Sequence, residues 1–128
     1  MPYIEILSSR DPADEQKQSL VERLTGTIVE QFHVAPTAVT VFFLPIDPAH
    51  YAYRGRLADD GSPRVFIKFH AYRRDAERRR AVAAPISEAV AACFSTEIEN
   101  VSIYFFEREF DEVVHDGLLV SDGKRPAL

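Results

Sequence analysis

The chain repeats itself, and this repeat limits its fold more than any other feature. Shifted by 61 residues, PYIEI (2–6) falls on PRVFI (63–67). One further residue of offset aligns the remainder of the two copies. Leu20, Leu24, Ile28 and Phe32 then meet Val82, Ile86, Val90 and Phe94, VTVFF (39–43) meets VSIYF (101–105), and GRLADDG (55–61) meets GLLVSDG (117–123). The extra residue lies in the first loop, where SSRDPADE (8–15) meets HAYRRDAE (70–77). Two copies are too few for a solenoid, which needs at least three to bury a continuous core. The pattern predicts a duplicated supersecondary motif within one domain, residues 1–128, made of a first unit over 1–61 and a second over 62–128.

Each copy has the same layout. Residues 3–7 alternate and are rich in β-formers, so they read as a strand. Asp11 suits a helix N-cap, Pro12 the first helical position, and Asp14 and Glu15 the positive helix start. The apolar residues every fourth position from Leu20 to Phe32 form one stripe, and HVAPTA (33–38) ends the helix. Residues 39–44 are nearly all apolar, as buried parallel strands are. Strand, helix and strand in that order predict a right-handed βαβ unit. Residues 47–57, with Pro48 and Gly55, predict a turn and short hairpin. The second copy predicts a strand over 64–69, a helix over about 75–94 and a strand over 101–106. Pro85 inside that helix removes a hydrogen bond and predicts a kink or two helical pieces.

The expected fold class is therefore α+β: two tandem βαβ units whose four-stranded sheet, with parallel and antiparallel pairs, carries two helices on one face. Phe43, Phe66, Tyr104 and Phe105 cannot all point into one layer. The second sheet face is thus expected to be apolar and uncovered, which predicts a homo-oligomer.

Charge and composition exclude several classes. A net charge of −5 argues against nucleic-acid binding. A single cysteine, Cys93, permits no internal disulfide and reads as a small core residue. No apolar run is long enough to span a membrane, and residues 1–30 lack a signal-peptide pattern, so a cytoplasmic location and no membrane partner are expected. His33, His50 and His70 do not show metal-ligand spacing, and neither a Gly-rich phosphate loop nor a nucleophile elbow is present. No metal or cofactor is expected.

The start, MPYIEI, runs from a proline directly into a strand. Methionine before proline is normally removed, which would leave the Pro2 nitrogen as a secondary amine. An α-amino group titrates near about 8, and burial or a nearby arginine would lower that value. Such an amine suits proton transfer at carbon next to a carbonyl. The alternative is that Pro2 merely begins the chain. Its copy, Pro63, follows Ser62, so its nitrogen is an amide and cannot act as a base.

These residues together resemble the 4-oxalocrotonate tautomerase group of the tautomerase superfamily. The resemblance rests on Met-Pro-hydrophobic at the start, Arg10 in the loop after the first strand, DEQK (14–17), APTAV (35–39) and AHYAYRG (49–55). The double length resembles fused members of that superfamily, which implies a homotrimer of two-unit chains. It also implies Pro2 as general base or acid, with arginines holding a substrate carboxylate. Because the family's arginine faces the proline of a neighbouring unit, the second-unit loop HAYRRDAER (70–78) is expected to serve Pro2 through Arg73 and Arg74, which otherwise read as a solvated helix start; Arg10 is expected to face the blocked Pro63. Tyr104 matches a tyrosine of fused dehalogenase and hydratase members, or else packs in the core. His115 stands where those members place a water-activating glutamate, and Tyr51 matches an aromatic lining the short members' pocket. Thr40 and Ser102 replace the second-strand arginine of the short members, which favours a monocarboxylate, and APTAV lacks the acid of the decarboxylase members.

The resulting expectation is a cofactor-free tautomerase of small 2-oxo acids or their enols. The alternatives are hydration or dehalogenation of unsaturated or halogenated acids at the same site, and a non-catalytic trimeric scaffold.

Overall fold

The structure, a computed structural model, describes residues 1–57 and 63–123. The element order is β1 (Tyr3–Ser8), α1 (Asp14–Phe32), β2 (Thr40–Pro45), β3 (Ala52–Tyr53), β4 (Arg56–Leu57), β5 (Val65–Tyr72), α2 (Ala76–Cys93), β6 (Val101–Arg108), β7 (Val114–His115) and β8 (Leu118–Leu119). The expected α+β fold is present, as two βαβ units in tandem. The junction placed between residues 61 and 62 lies outside the described residues.

The four long strands form one sheet in the order β2-β1-β5-β6. β1 pairs parallel with β2 (Ile4↔Val41, Ile6↔Phe43), and β5 pairs parallel with β6 (Ile67↔Ile103, Phe69↔Phe105). The two units meet along an antiparallel seam, with Ile6 opposite Ile67 and Tyr3 opposite His70. Strand alternation then fixes the faces. Ile4, Ile6, Val65, Ile67 and Phe69 point to the helical side and are at most 1% exposed. They meet Leu20, Leu24, Ile28 and Phe32 of α1 and Val82, Ile86, Ala89 and Val90 of α2 in one core cluster. Burying each large aliphatic stabilises by roughly 1.5–3 kcal/mol relative to exposure, and this stripe-on-sheet packing is the main source of stability.

Backbone conformation repeats as faithfully as the core. The non-glycine residues His33 and Ser95 both take left-handed backbone (φ 55° and 52°) after the helices. The hairpins turn through Arg54-Gly55 and Asp116-Gly117, again with positive φ at both central positions. Two consecutive left-handed residues suit the twist of a two-residue hairpin.

Some local expectations differ. α1 begins at Asp14 with Ala13 as its cap residue, not at Asp11 and Pro12. Ala13 is extended (ψ 154°), its N–H donates to Gln16 Oε1, and the Asp11 carboxylate accepts from Lys17 instead. α2 runs unbroken from Ala76 to Cys93 through Pro85, so it is not in two pieces; Pro85 lies on its exposed side. β5 and β6 are each two residues longer than the periodicity predicts.

The other sheet face carries no helix. It holds Tyr3, Phe42, Leu44, Phe66, Tyr104 and Phe106, whereas Phe43 and Phe105 pack against the core on the helical side. Phe42 and Tyr104 are half exposed. A row of rings crosses this face: Tyr3 stacks on His70 at 4.1 Å, and His70 on Phe106 at 5.0 Å. His70 Nε2 lies 2.6 Å from Glu5 Oε2.

Candidate active site

The antiparallel seam decides where Pro2 goes. Tyr3 pairs with His70, so Pro2 stands beside the last residues of β5, just before Arg73 and Arg74. The Pro2 carbonyl accepts from Thr40 N–H at 3.2 Å, which ties the start of the chain to β2. Pro2 itself is buried. It lines a cavity of about 480 Å³ with Thr40, Tyr72, Val113, His115 and Leu118.

The wall opposite Pro2 is the hairpin β7–β8. Val120 N–H donates to the Val113 carbonyl (2.9 Å) and Ser121 N–H to that of Phe110 (3.0 Å), closing the hairpin over the cavity. His115 enters the cavity from this hairpin, with its Nδ1 3.3 Å from Asp116 Oδ2; both side chains are largely exposed. The lining is mostly apolar. Burial holds the Met1 ammonium below its ordinary value and pushes the Tyr72 phenol up. An amine at this end of β1 therefore sits where its uncharged form is favoured.

The two arginines of the second loop behave differently. Arg74 is half-buried, its guanidinium 4.2 Å over the Phe32 ring at the end of α1, and it donates to the Tyr72 carbonyl at 2.7 Å. Desolvation lowers its pKa, and Glu107 opposes that shift. Arg73 is exposed, and its Nε donates to Glu109 at 2.6 Å, which raises its pKa. Neither guanidinium lines the Pro2 cavity, although both begin within three residues of Tyr72, which does. Arg79, the middle of three consecutive arginines (78–80), donates to Glu107 at 2.6 Å.

Arg10 reaches the helix end of the second unit as Arg74 reaches that of the first, although the repeat sets Arg10 against Tyr72. It donates to the carbonyls of Phe94 (2.8 Å) and Ser95 (3.2 Å) at the end of α2. Phe94 is the repeat partner of Phe32. Each unit thus sends one arginine across the seam to the helix end of the other, where a cation also complements the exposed carbonyls.

Tyr104 and Tyr51 do not reach Pro2 within one chain. Both line a second cavity of about 480 Å³ on the open sheet face, with Ser9, Arg64, Phe66 and Lys68. The structure therefore brings Pro2 and His115 to one cavity, while Arg73 and Arg74 follow its lining residue Tyr72 without lining it themselves. It separates Tyr104 and Tyr51 from them, and it gives Arg10 to a helix end. Tyr72 and Val113 are cavity residues that no sequence motif marks. Their signal is positional: Tyr72 immediately precedes the arginine pair, and Val113 opens the hairpin that carries His115.

No helix among the described residues is long and apolar enough to cross a membrane.

Residues 2–60 match the family described as tautomerase enzyme. A 2-hydroxymuconate tautomerase of Bacillus subtilis (strain 168) is 32% identical over 60 residues, covering 47% of this chain and 97% of that protein. Among solved structures, a native fused 4-OT is similar with a TM-score of 0.84 and 23% identity, covering 96% of this chain and 99% of that one. A fused 4-OT that forms an asymmetric trimer is similar with a TM-score of 0.85 and 18% identity, again covering 96% and 99%.

Proposed function

This chain belongs to the tautomerase superfamily as a fused, double-length member, and on that premise we propose that it is a cofactor-free isomerase of small 2-oxo carboxylic acids or their enols. The observation that carries the reading is the burial of Pro2 in a mostly apolar cavity at the arginine-bearing end of β5. Removal of Met1 would expose the Pro2 amine there, where burial would favour its uncharged form as it disfavours the Met1 ammonium. That amine takes a proton from the enol or from carbon and returns it to the neighbouring position, so no cofactor is called for.

Arg73 is the carboxylate ligand of choice. Its ion pair with Glu109 is exposed on both sides, and such pairs contribute little, so exchange for a substrate carboxylate is inexpensive. Arg74 is committed to Phe32 and the Tyr72 carbonyl and acts as the post that fixes this loop. His115 polarises the carbonyl oxygen, where a donor stabilises developing enolate charge. Thr40 in the lining adds no second cation, which fits a monocarboxylate.

The bare apolar sheet face supports assembly into a homotrimer, the state of the fused 4-OT relative named above. Tyr104, half exposed on that face, would take part in a Pro2 site only across a contact between copies.

Ketonisation of phenylenolpyruvate by the wild type and by Pro2→Ala tests the reading. A loss of about 10²–10⁴ in kcat is expected for removal of a general base; equal rates would overturn it. A second reading, hydration or dehalogenation, is favoured by one observation, the His115–Asp116 pair facing the same cavity, and halide release from 3-haloacrylates would establish it.

A further inference from the structure

The Pro2 cavity holds a buried donor besides His115. Among its described lining residues, Tyr3, Thr40, Tyr72 and His115 carry a side-chain donor. Thr40 and His115 are exposed and Tyr3 is partly so, whereas Tyr72 is only 6% exposed. Among the described residues the Tyr72 hydroxyl has no hydrogen-bond partner. It is nevertheless not sealed, since the unpaired side-chain atoms closed off from solvent are Tyr51 Oη and Arg64 Nε. Polar groups on buried residues are nearly always satisfied. A hydroxyl that is unpaired yet reachable, on a residue lining this cavity, is therefore open to a ligand there.

Backbone and ring of Tyr72 are both held. Tyr72 stands opposite Arg108 at the end of the β5–β6 ladder, and Arg73 N–H donates to the Arg108 carbonyl at 3.1 Å just beyond it. Arg74 Nη1 donates to the Tyr72 carbonyl at 2.7 Å. The Phe110 ring packs on that of Tyr72, with centroids 4.7 Å apart. The phenol is thus fixed before a ligand arrives, and a donor that needs no reorganisation stabilises developing charge best. Burial also pushes the phenol pKa up, which keeps Tyr72 a neutral donor. Tyr104, the tyrosine expected at the site, lines the other cavity.

We propose that Tyr72 is a catalytic residue of the Pro2 site, its O–H donating to the C2 oxygen of the substrate as that oxygen becomes an enolate. The inference rests on the isomerase reading above. In ketonisation Pro2 takes the proton of the enol O–H, the enolate oxygen carries the charge, and the proton returns from the Pro2 ammonium to C3. Tyr72 donates a hydrogen bond throughout and keeps its own proton. The enolate oxygen accepts from two donors, His115 at the exposed rim and Tyr72 in the buried wall. The desolvated donor acts in the lower dielectric and carries more of the stabilisation.

Tyr72→Phe tests this, because it removes only the hydroxyl and keeps the ring against Phe110. With phenylenolpyruvate it is expected to lower kcat about 10²–10³-fold with KM unchanged, the pattern of an interaction made only in the transition state. The kinetics are run where urea unfolding shows the variant fully folded. A kcat equal to that of the wild type would overturn the inference, as would an effect confined to KM. Pro2→Ala is measured beside it. Wild-type turnover by Pro2→Ala with a slow Tyr72→Phe would sink the proline reading and support the Tyr72 donor; the reverse would sink the Tyr72 assignment alone. A wild type without turnover would sink both.

Discussion

Tyr3 lies opposite His70 across the antiparallel seam of β1 and β5, with their rings stacked at 4.1 Å and 7°. This register brings the beginning of the first unit to the end of the second unit's first strand. A one-residue slip would turn the core residues Ile4 and Ile6 outward, so the register is strongly fixed by burial. The proximity of Pro2 to the loop of Arg73 and Arg74 is thus a by-product of core packing between the two copies.

The arginine pair should separate by phenotype. Arg73→Ala is expected to raise KM for a carboxylate substrate at least tenfold with little change in thermal stability, since it breaks only an exposed ion pair. Arg74→Ala is expected to lower stability by about 1–2 kcal/mol through loss of its stacking on Phe32. Steady-state kinetics and urea unfolding of both variants check this.

Arg10→Ala is expected to act on stability alone. It removes two charge-assisted hydrogen bonds to carbonyls at the end of α2, about 1–3 kcal/mol, while the lining of the Pro2 cavity stays unchanged. Thermal unfolding beside a kcat/KM measurement decides it. A loss of kcat/KM in folded protein would place Arg10 at a site instead of at a helix end.

The two hairpin glycines should respond alike. Gly55 (φ +76°) and Gly117 (φ +78°) both sit in left-handed backbone, with nothing within 4 Å of an added Cβ. Alanine at either position is expected to destabilise by about 1–2 kcal/mol from backbone strain alone. Urea unfolding of both variants measures it, and unequal costs would argue against equivalent turns.

The sequence carries the fold because repetition and periodicity report burial. Leu20, Leu24, Ile28 and Phe32 are all buried, and their copies in the second unit are too. What periodicity does not report is which way a polar side chain turns. Asp11 is a plausible cap by residue type, but Lys17 one turn into α1 claims its carboxylate. Arg73 and Arg74 are adjacent in sequence, yet Phe32 draws in one and Glu109 holds the other at the surface. The strand position of Tyr104 is legible, while its face is set by the pairing of Ile103 with Ile67, which turns Tyr104 away from the helices.

The Pro2 nitrogen is the centre of the account, and titrating it by 15N NMR in [15N]proline-labelled protein tests it most directly. Burial predicts a secondary amine whose pKa lies below the ordinary α-amino value of about 8. The amine works as a base when unprotonated, so kcat/KM should fall as pH drops through that same midpoint. A Pro2 nitrogen that does not titrate, being still joined to Met1, or one that titrates at or above the ordinary value, would contradict the account.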